Sequence, residues 1–104
     1  MRLIDVDVEP KSLSPGSQAH LSVLVDFAEP VNRGEFIPTA QMIGPMGPVA
    51  LPLFDVTTEN ERAAQRLKFS ATITAPSEEG AWRVDVTFPG QGTHATYFET
   101  WRQR

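Results

Sequence analysis

Through most of this chain apolar and polar residues alternate with a period of two, and prolines and glycines interrupt the alternation at short intervals. Ile4, Val6 and Val8 oppose Asp5, Asp7 and Glu9, which predicts a strand with β-branched residues on one face and carboxylates on the other. Residues 9–17, with Pro10 and Pro15-Gly16, read as a turn-rich connection. In the second strand Ala19, Leu21, Val23, Val25 and Phe27 share one side, while His20, Ser22, Leu24 and Asp26 share the other. A weaker third strand at 36–43 contains Pro38, which lacks the N–H that a ladder needs and so fits an edge or a strand's beginning. Gly44-Pro45-Met46-Gly47-Pro48 predicts a loop, and a fourth short strand follows at 49–56.

Residues 53–75 form the long stretch free of proline and glycine. Within it Thr58 and Glu61 have capping-box spacing, but residues 58–66 lack an apolar stripe, so a short helical turn and a polar loop are both compatible with the pattern. Alternation resumes in the fifth strand with Leu67, Phe69, Ala71 and Ile73 against Lys68, Ser70, Thr72 and Thr74. In the sixth, Trp82, Val84, Val86 and Phe88 oppose Arg83, Asp85 and Thr87. The seventh, 93–101, sets Ala95, Tyr97, Glu99 and Trp101 against His94, Thr96, Phe98 and Thr100, so both of its faces carry an aromatic. Short strands with a turn signal every 8 to 12 residues or so point to an all-β sandwich whose core is the facing rows of strands two, five and six.

Length and charge narrow the classes. A chain of 104 residues fits one domain, 1–104, large enough to enclose its own core. It has no cysteine, which excludes disulfide frameworks and thiol chemistry. The formal charge is −4, with no basic run of the kind that phosphate neutralisation requires, so no nucleic-acid partner is expected. No stretch approaches membrane-spanning length, and charges at Arg2, Asp5 and Asp7 interrupt any signal-peptide core. The expectation is a soluble chain with no membrane partner, cytoplasmic unless it was cut from a longer secreted protein.

The order Val8-Glu9-Pro10, Leu13-Ser14-Pro15-Gly16, Leu21-Ser22-Val23 and Gly80-Ala81-Trp82-Arg83-Val84-Asp85-Val86 resembles prokaryotic immunoglobulin-like and fibronectin-III-like domains. Such domains place a Pro-Gly turn before the second strand and a Gly-x-aromatic-x-Val-x-Val run on the sixth. The resemblance implies a seven-stranded immunoglobulin-like antiparallel β-sandwich and little about function. The Gly-Pro-Met-Gly-Pro loop with the later Gly-Ala-Trp-Arg-Val also resembles periplasmic domains associated with copper handling or oxidase assembly. Those sites cluster Met and His, whereas this chain has three methionines, one of them Met1, and two histidines far apart in sequence.

Candidate chemistry is sparse. Alternation sets His20 and His94 on the polar faces of their strands, and two ligands fall short of the three or four that zinc takes. Asp5 and Asp7 point the same way about 7 Å apart, with Asp85 a third carboxylate, but acids within strands read as a solvated face. No metal or other cofactor is expected. There is no nucleophile elbow, His-Glu-x-x-His or phosphate-cradling glycine loop, so no enzyme is expected either.

The last strand has two readings. In one, Phe98 enters the core while Tyr97 and Trp101 lie along the edge beneath neighbouring side chains; in the other, Tyr97 and Trp101 form an aromatic contact patch rimmed by Arg102 and Arg104. Residues 36–53 contain no charged side chain, so the third strand, or the terminal one, is a candidate acceptor for a partner's strand. The function expected is a non-enzymatic protein interaction or assembly module, binding another protein or its own copy through Phe36, Met42, Met46, Tyr97 and Trp101. Alternatives are a carbohydrate or small-ligand platform built on Tyr97 and Trp101, and a copper-handling domain using Met42, Met46 and a histidine.

Overall fold

The computed structural model describes residues 2–27, 37–44, 47–90 and 92–101, with side chains described from residue 5 onward. In chain order the elements are β1 (Arg2–Glu9), β2 (Ser12–Leu13), β3 (Gln18–Asp26), β4 (Thr39–Gly44), β5 (Gly47–Leu51), β6 (Phe54–Asp55), α1 (Glu59–Ala63), β7 (Arg66–Thr74), β8 (Gly80–Phe88) and β9 (Gly92–Thr100). They form two sheets, ordered β1-β3-β7-β6 and β2-β9-β8-β4-β5. This is the immunoglobulin-like, all-β sandwich that the alternation implies, with β2 and β6 as short strands beside the seven expected.

The core forms where the alternating rows meet. Ala19, Leu21, Val23 and Val25 of β3 and Leu67, Phe69, Ala71 and Ile73 of β7 are buried from one sheet. From the other come Trp82, Val84, Val86 and Phe88 of β8 with Phe98 of β9. Val8 at the end of β1 is fully buried, and Leu13 on β2 closes the same end of the sandwich.

Four local expectations are resolved or changed. The third strand, for which Pro38 fits an edge or a strand's beginning, is β4: it is interior, pairing antiparallel with β8 on one side and β5 on the other, and Pro38 stands at its beginning. No ladder donor is required there. The glycine-proline loop contracts, because Gly44 pairs with Gly47 and Ile43 with Pro48, which extends the ladder on both sides of residues 45–46. Gly47 takes a φ of +96°, a conformation that glycine adopts without steric cost. The single fourth strand is two strands, β5 in the five-stranded sheet and β6 in the four-stranded one, and Pro52 falls between them. Finally, the segment after Pro10 is not only a turn: β2 pairs parallel with β9, Ser12 against Glu99 and Leu13 against Thr100.

Of the two readings of residues 58–66, the helical one holds. Thr58 Oγ1 accepts from Glu61 N at 3.1 Å, and Thr58 N donates to Glu61 Oε1 at 2.9 Å, a reciprocal capping box. The backbone and side chain of Thr58 hold the Glu61 carboxyl below its ordinary value. A depressed folded-state value means that the cap's charged contribution is complete above the unfolded pKa and is lost as pH falls through the folded one. Thr58→Ala is therefore expected to cost about 1 kcal/mol at neutral pH. It should also flatten the acid limb of the stability curve, as read by urea denaturation at a series of pH values.

Candidate interaction surface

Register across the five-stranded sheet decides which outward side chains meet. Pro48 lies opposite Ile43, Ile43 opposite Arg83, and Arg83 opposite Tyr97, so one row crosses β5, β4, β8 and β9 on the outer face. The neighbouring row is Ala50, Gln41, Asp85 and Ala95, and on the other side Ala81 faces Glu99. Tyr97 is 59% exposed and Trp101, just beyond the end of β9, is 48% exposed. Phe98 enters the core, and Tyr97 and Trp101 lie outside it, exposed and not beneath neighbouring side chains.

Two members of this face, Arg83 and Trp101, are positioned by contacts within the chain. Arg83 donates to Asp85 through Nε at 2.9 Å and Nη2 at 3.1 Å, a two-point ion pair that orients the guanidinium plane and balances its charge. Asp85 is 8% exposed although it lies on the outward row, because Arg83 and the flanking Gln41 and Ala95 crowd it. Trp101 Nε1 donates to Glu99 Oε2 at 3.0 Å, and Trp101 N donates to Leu13 O at 2.8 Å. The exposed indole is thus tied down at both backbone and ring. Beside Tyr97 an open groove of about 340 Å³ is lined by Ile43, Gly44, Ala81, Trp82, Arg83 and Tyr97. Gly44 and Ala81 carry so little side chain that the groove reaches the otherwise buried Trp82.

The remaining sequence-expected residues do not gather here. Met42 is not a surface contact: it is 6% exposed and packs in the core, because β4 is interior and Met42 lies on its inward row opposite Val84. Phe36, Met46, Arg102 and Arg104 lie outside the described residues. His94 is not on the polar face of its strand; it shares the inward side with Phe98 and meets Phe88 edge-on at 5.3 Å between ring centroids. His20 sits on the other sheet, so the two histidines are not neighbours. Asp5 and Asp7 belong to the four-stranded sheet and Asp85 to the five-stranded one, and Asp7 pairs instead with Lys11. Among the described residues no group of three or more His, Cys, Asp or Glu could hold a metal ion. No described helix is long and apolar enough to cross a membrane.

Sequence reasoning missed Ile43 and Arg83. Both follow from hairpin register, which needs the lengths of the turns, and the 44–48 turn is shorter than its composition suggests. It also missed Phe54, which stands 60% exposed on β6.

No protein-family model matches the chain, and no curated protein sequence does. Among solved structures it is similar to an alkylpurine DNA glycosylase of Pseudomonas fluorescens bound to DNA containing an abasic-site analogue. That likeness has a TM-score of 0.68 at 13% identity and covers 96% of this chain but 30% of the glycosylase chain. It is also similar to the Lin-41 filamin domain, with a TM-score of 0.53 at 16% identity, covering 94% of this chain and 93% of that one. At these identities the shared property is the fold alone, and the filamin domain agrees with an immunoglobulin-like β-sandwich.

Proposed function

We propose that this chain is a non-enzymatic protein-interaction module whose contact surface is the outer face of the five-stranded sheet around Tyr97. The observation that carries this reading is the row Ile43, Arg83, Tyr97 with Trp101 beyond it: two large exposed aromatics and a charge-balanced arginine beside an open groove. Aromatic and arginine side chains dominate binding energy at protein interfaces, and Arg83 and Trp101 are already held in place, which lowers the ordering cost of binding. The filamin-domain likeness agrees with a compact module of this size. The glycosylase's DNA is not carried over, since the charge is −4 and the outward row has its arginine neutralised by Asp85.

The carbohydrate alternative fits the geometry less well. Tyr97 and Trp101 are four residues apart on an extended segment, about 13 Å, so one sugar ring cannot stack on both. The copper alternative loses Met42 to the core.

A photo-reactive phenylalanine at Tyr97, irradiated in the producing cells, is expected to give a discrete adduct with another protein, whereas the same group at His20 on the opposite sheet gives none. Trp101→Ala in the Tyr97-labelled chain should weaken capture by roughly 30-fold, the effect of a 2 kcal/mol hot spot. Equal adducts at both positions, or none at Tyr97, would overturn the reading.

A further inference from the structure

Alternate residues at the end of β9 face outward, so Tyr97, Glu99 and Trp101 stand in line, about 7 Å from one to the next. Glu99 is exposed, with an exposed aromatic on either side of it. Its Oε2 accepts from the Trp101 indole N–H at 3.0 Å, which holds the carboxylate against that ring. The indole is neutral, so the carboxylate keeps its full charge between two aromatic side chains.

Among the described residues no cation neutralises Glu99. Lys11, Arg62, Arg66 and Arg83 each pair with an aspartate. Lys11 passes close by, since its carbonyl accepts from Glu99 N at 2.7 Å, but its ammonium is held by Asp7. Arg83 reaches along β8 toward Asp85 and so away from Ala81. Ala81 is the residue directly opposite Glu99, and it also lines the groove beside Tyr97. A largely apolar channel and an unbalanced carboxylate therefore adjoin. Because the Arg83 and Asp85 charges cancel, Glu99 sets the sign of this part of the face.

We infer that the partner protein lays an arginine side chain here, its methylene stem in the groove over Ala81 and its guanidinium on Glu99 and the Tyr97 ring. The unbalanced carboxylate selects a cation, and the groove selects one with a long apolar stem. A planar guanidinium bonds a carboxylate through its edge while its face stacks on an aromatic ring, which an ammonium cannot do. The acids of the other sheet lack this combination: Asp5, Asp7 and Glu9 of β1 face Leu24, Ser22 and His20 across the ladder, so charge is present there without a flanking pair of Tyr or Trp. The inference rests on the reading of this face as a protein contact and adds the chemistry of what it contacts.

Titration with the peptide acetyl-Leu-Arg-Leu-amide at low salt, followed by proton–nitrogen correlation NMR, is expected to shift the Trp101 indole resonance and the amides of Ala81, Tyr97 and Glu99. Acetyl-Leu-Gln-Leu-amide should bind about fivefold more weakly, the loss of one exposed charge pair. Glu99→Gln keeps an acceptor for the indole, so the surface stays built, and it should erase both the preference for arginine and its salt dependence. Tyr97→Leu keeps apolar bulk and should weaken the arginine peptide about threefold. Replacing both Arg102 and Arg104, which follow Trp101 in sequence, by glutamine should leave the affinity unchanged. Equal binding of the two peptides, a preference that survives in Glu99→Gln, shifts centred on Asp5, Asp7 and Glu9, or tighter binding once Arg102 and Arg104 are replaced overturns the inference. Photo-capture from Tyr97 that Glu99→Gln leaves undiminished also overturns it while the interaction-module reading stands. No capture from the native sequence overturns that reading instead, whatever the peptides show.

Discussion

Alanine at position 44 is expected to lower stability by about 1–3 kcal/mol although it adds one carbon atom. A Cβ built on Gly44 would overlap Cζ3, Cε3 and Cη2 of the Trp82 ring. Those ring atoms cannot swing away, because Trp82 is 3% exposed and stacks on Phe98 with ring centroids 6.4 Å apart and planes 9° from parallel. The strain must instead open β4 from β8, where Gly44 is next in register after Ile43 opposite Arg83. Urea denaturation measures the loss. In a Trp82→Leu background the same substitution should cost markedly less, since neighbours sharing one space couple strongly. Equal costs in both backgrounds would show that the indole does not fill the space above Gly44.

Phe98→Ala is expected to cost about 3–5 kcal/mol, the range for deleting a buried aromatic and leaving a cavity. Phe98 is 1% exposed, and its ring is the surface on which Trp82 rests. The variant should shift tryptophan emission to the red as Trp82 gains water, because Trp101 is already half exposed in the native chain. Phe98→Leu should recover most of the stability. One residue earlier, Tyr97→Ala removes an outward ring and should change stability by about 0.5 kcal/mol or less. The contrast between adjacent positions tests which face of β9 is the core; a loss below about 1 kcal/mol at Phe98 would put that assignment in error.

Much of the fold can be read from the chain because inward residues repeat every second position. The burial of β3 and β7 follows that repeat from end to end, and that of β8 does so except at Asp85. The spacing of Thr58 and Glu61 marks a capping box, which needs no distant partner, but it leaves the choice between a helical turn and a polar loop to the fold. Edges were not legible. Pro38 fits an edge or a strand's beginning, and it stands at the beginning of β4, whereas the edge is β5 with Pro48, because the Gly44–Gly47 pairing folds that segment back outside β4. Met42 was read as a surface ligand when the alternation of β4, Ala40 and Met42 inward, placed it in the core.

The candidate surface divides in the same way. Alternation grouped Tyr97 with Trp101, but both faces of the last strand carried aromatics, and a period of two does not say which face is inside. That choice came from the sheet opposite: Phe98 lies in register with Trp82, and the stacked pair fills the space that Gly44 leaves open. The sequence by itself determined the all-β class and the core rows of three strands, properties of residues near one another along the chain. Only the tertiary structure decided the order of strands and the row joining Ile43, Arg83 and Tyr97. Those depend on turn geometry and on the parallel pairing of β2 with β9, contacts between residues far apart in sequence whose register local alternation leaves free.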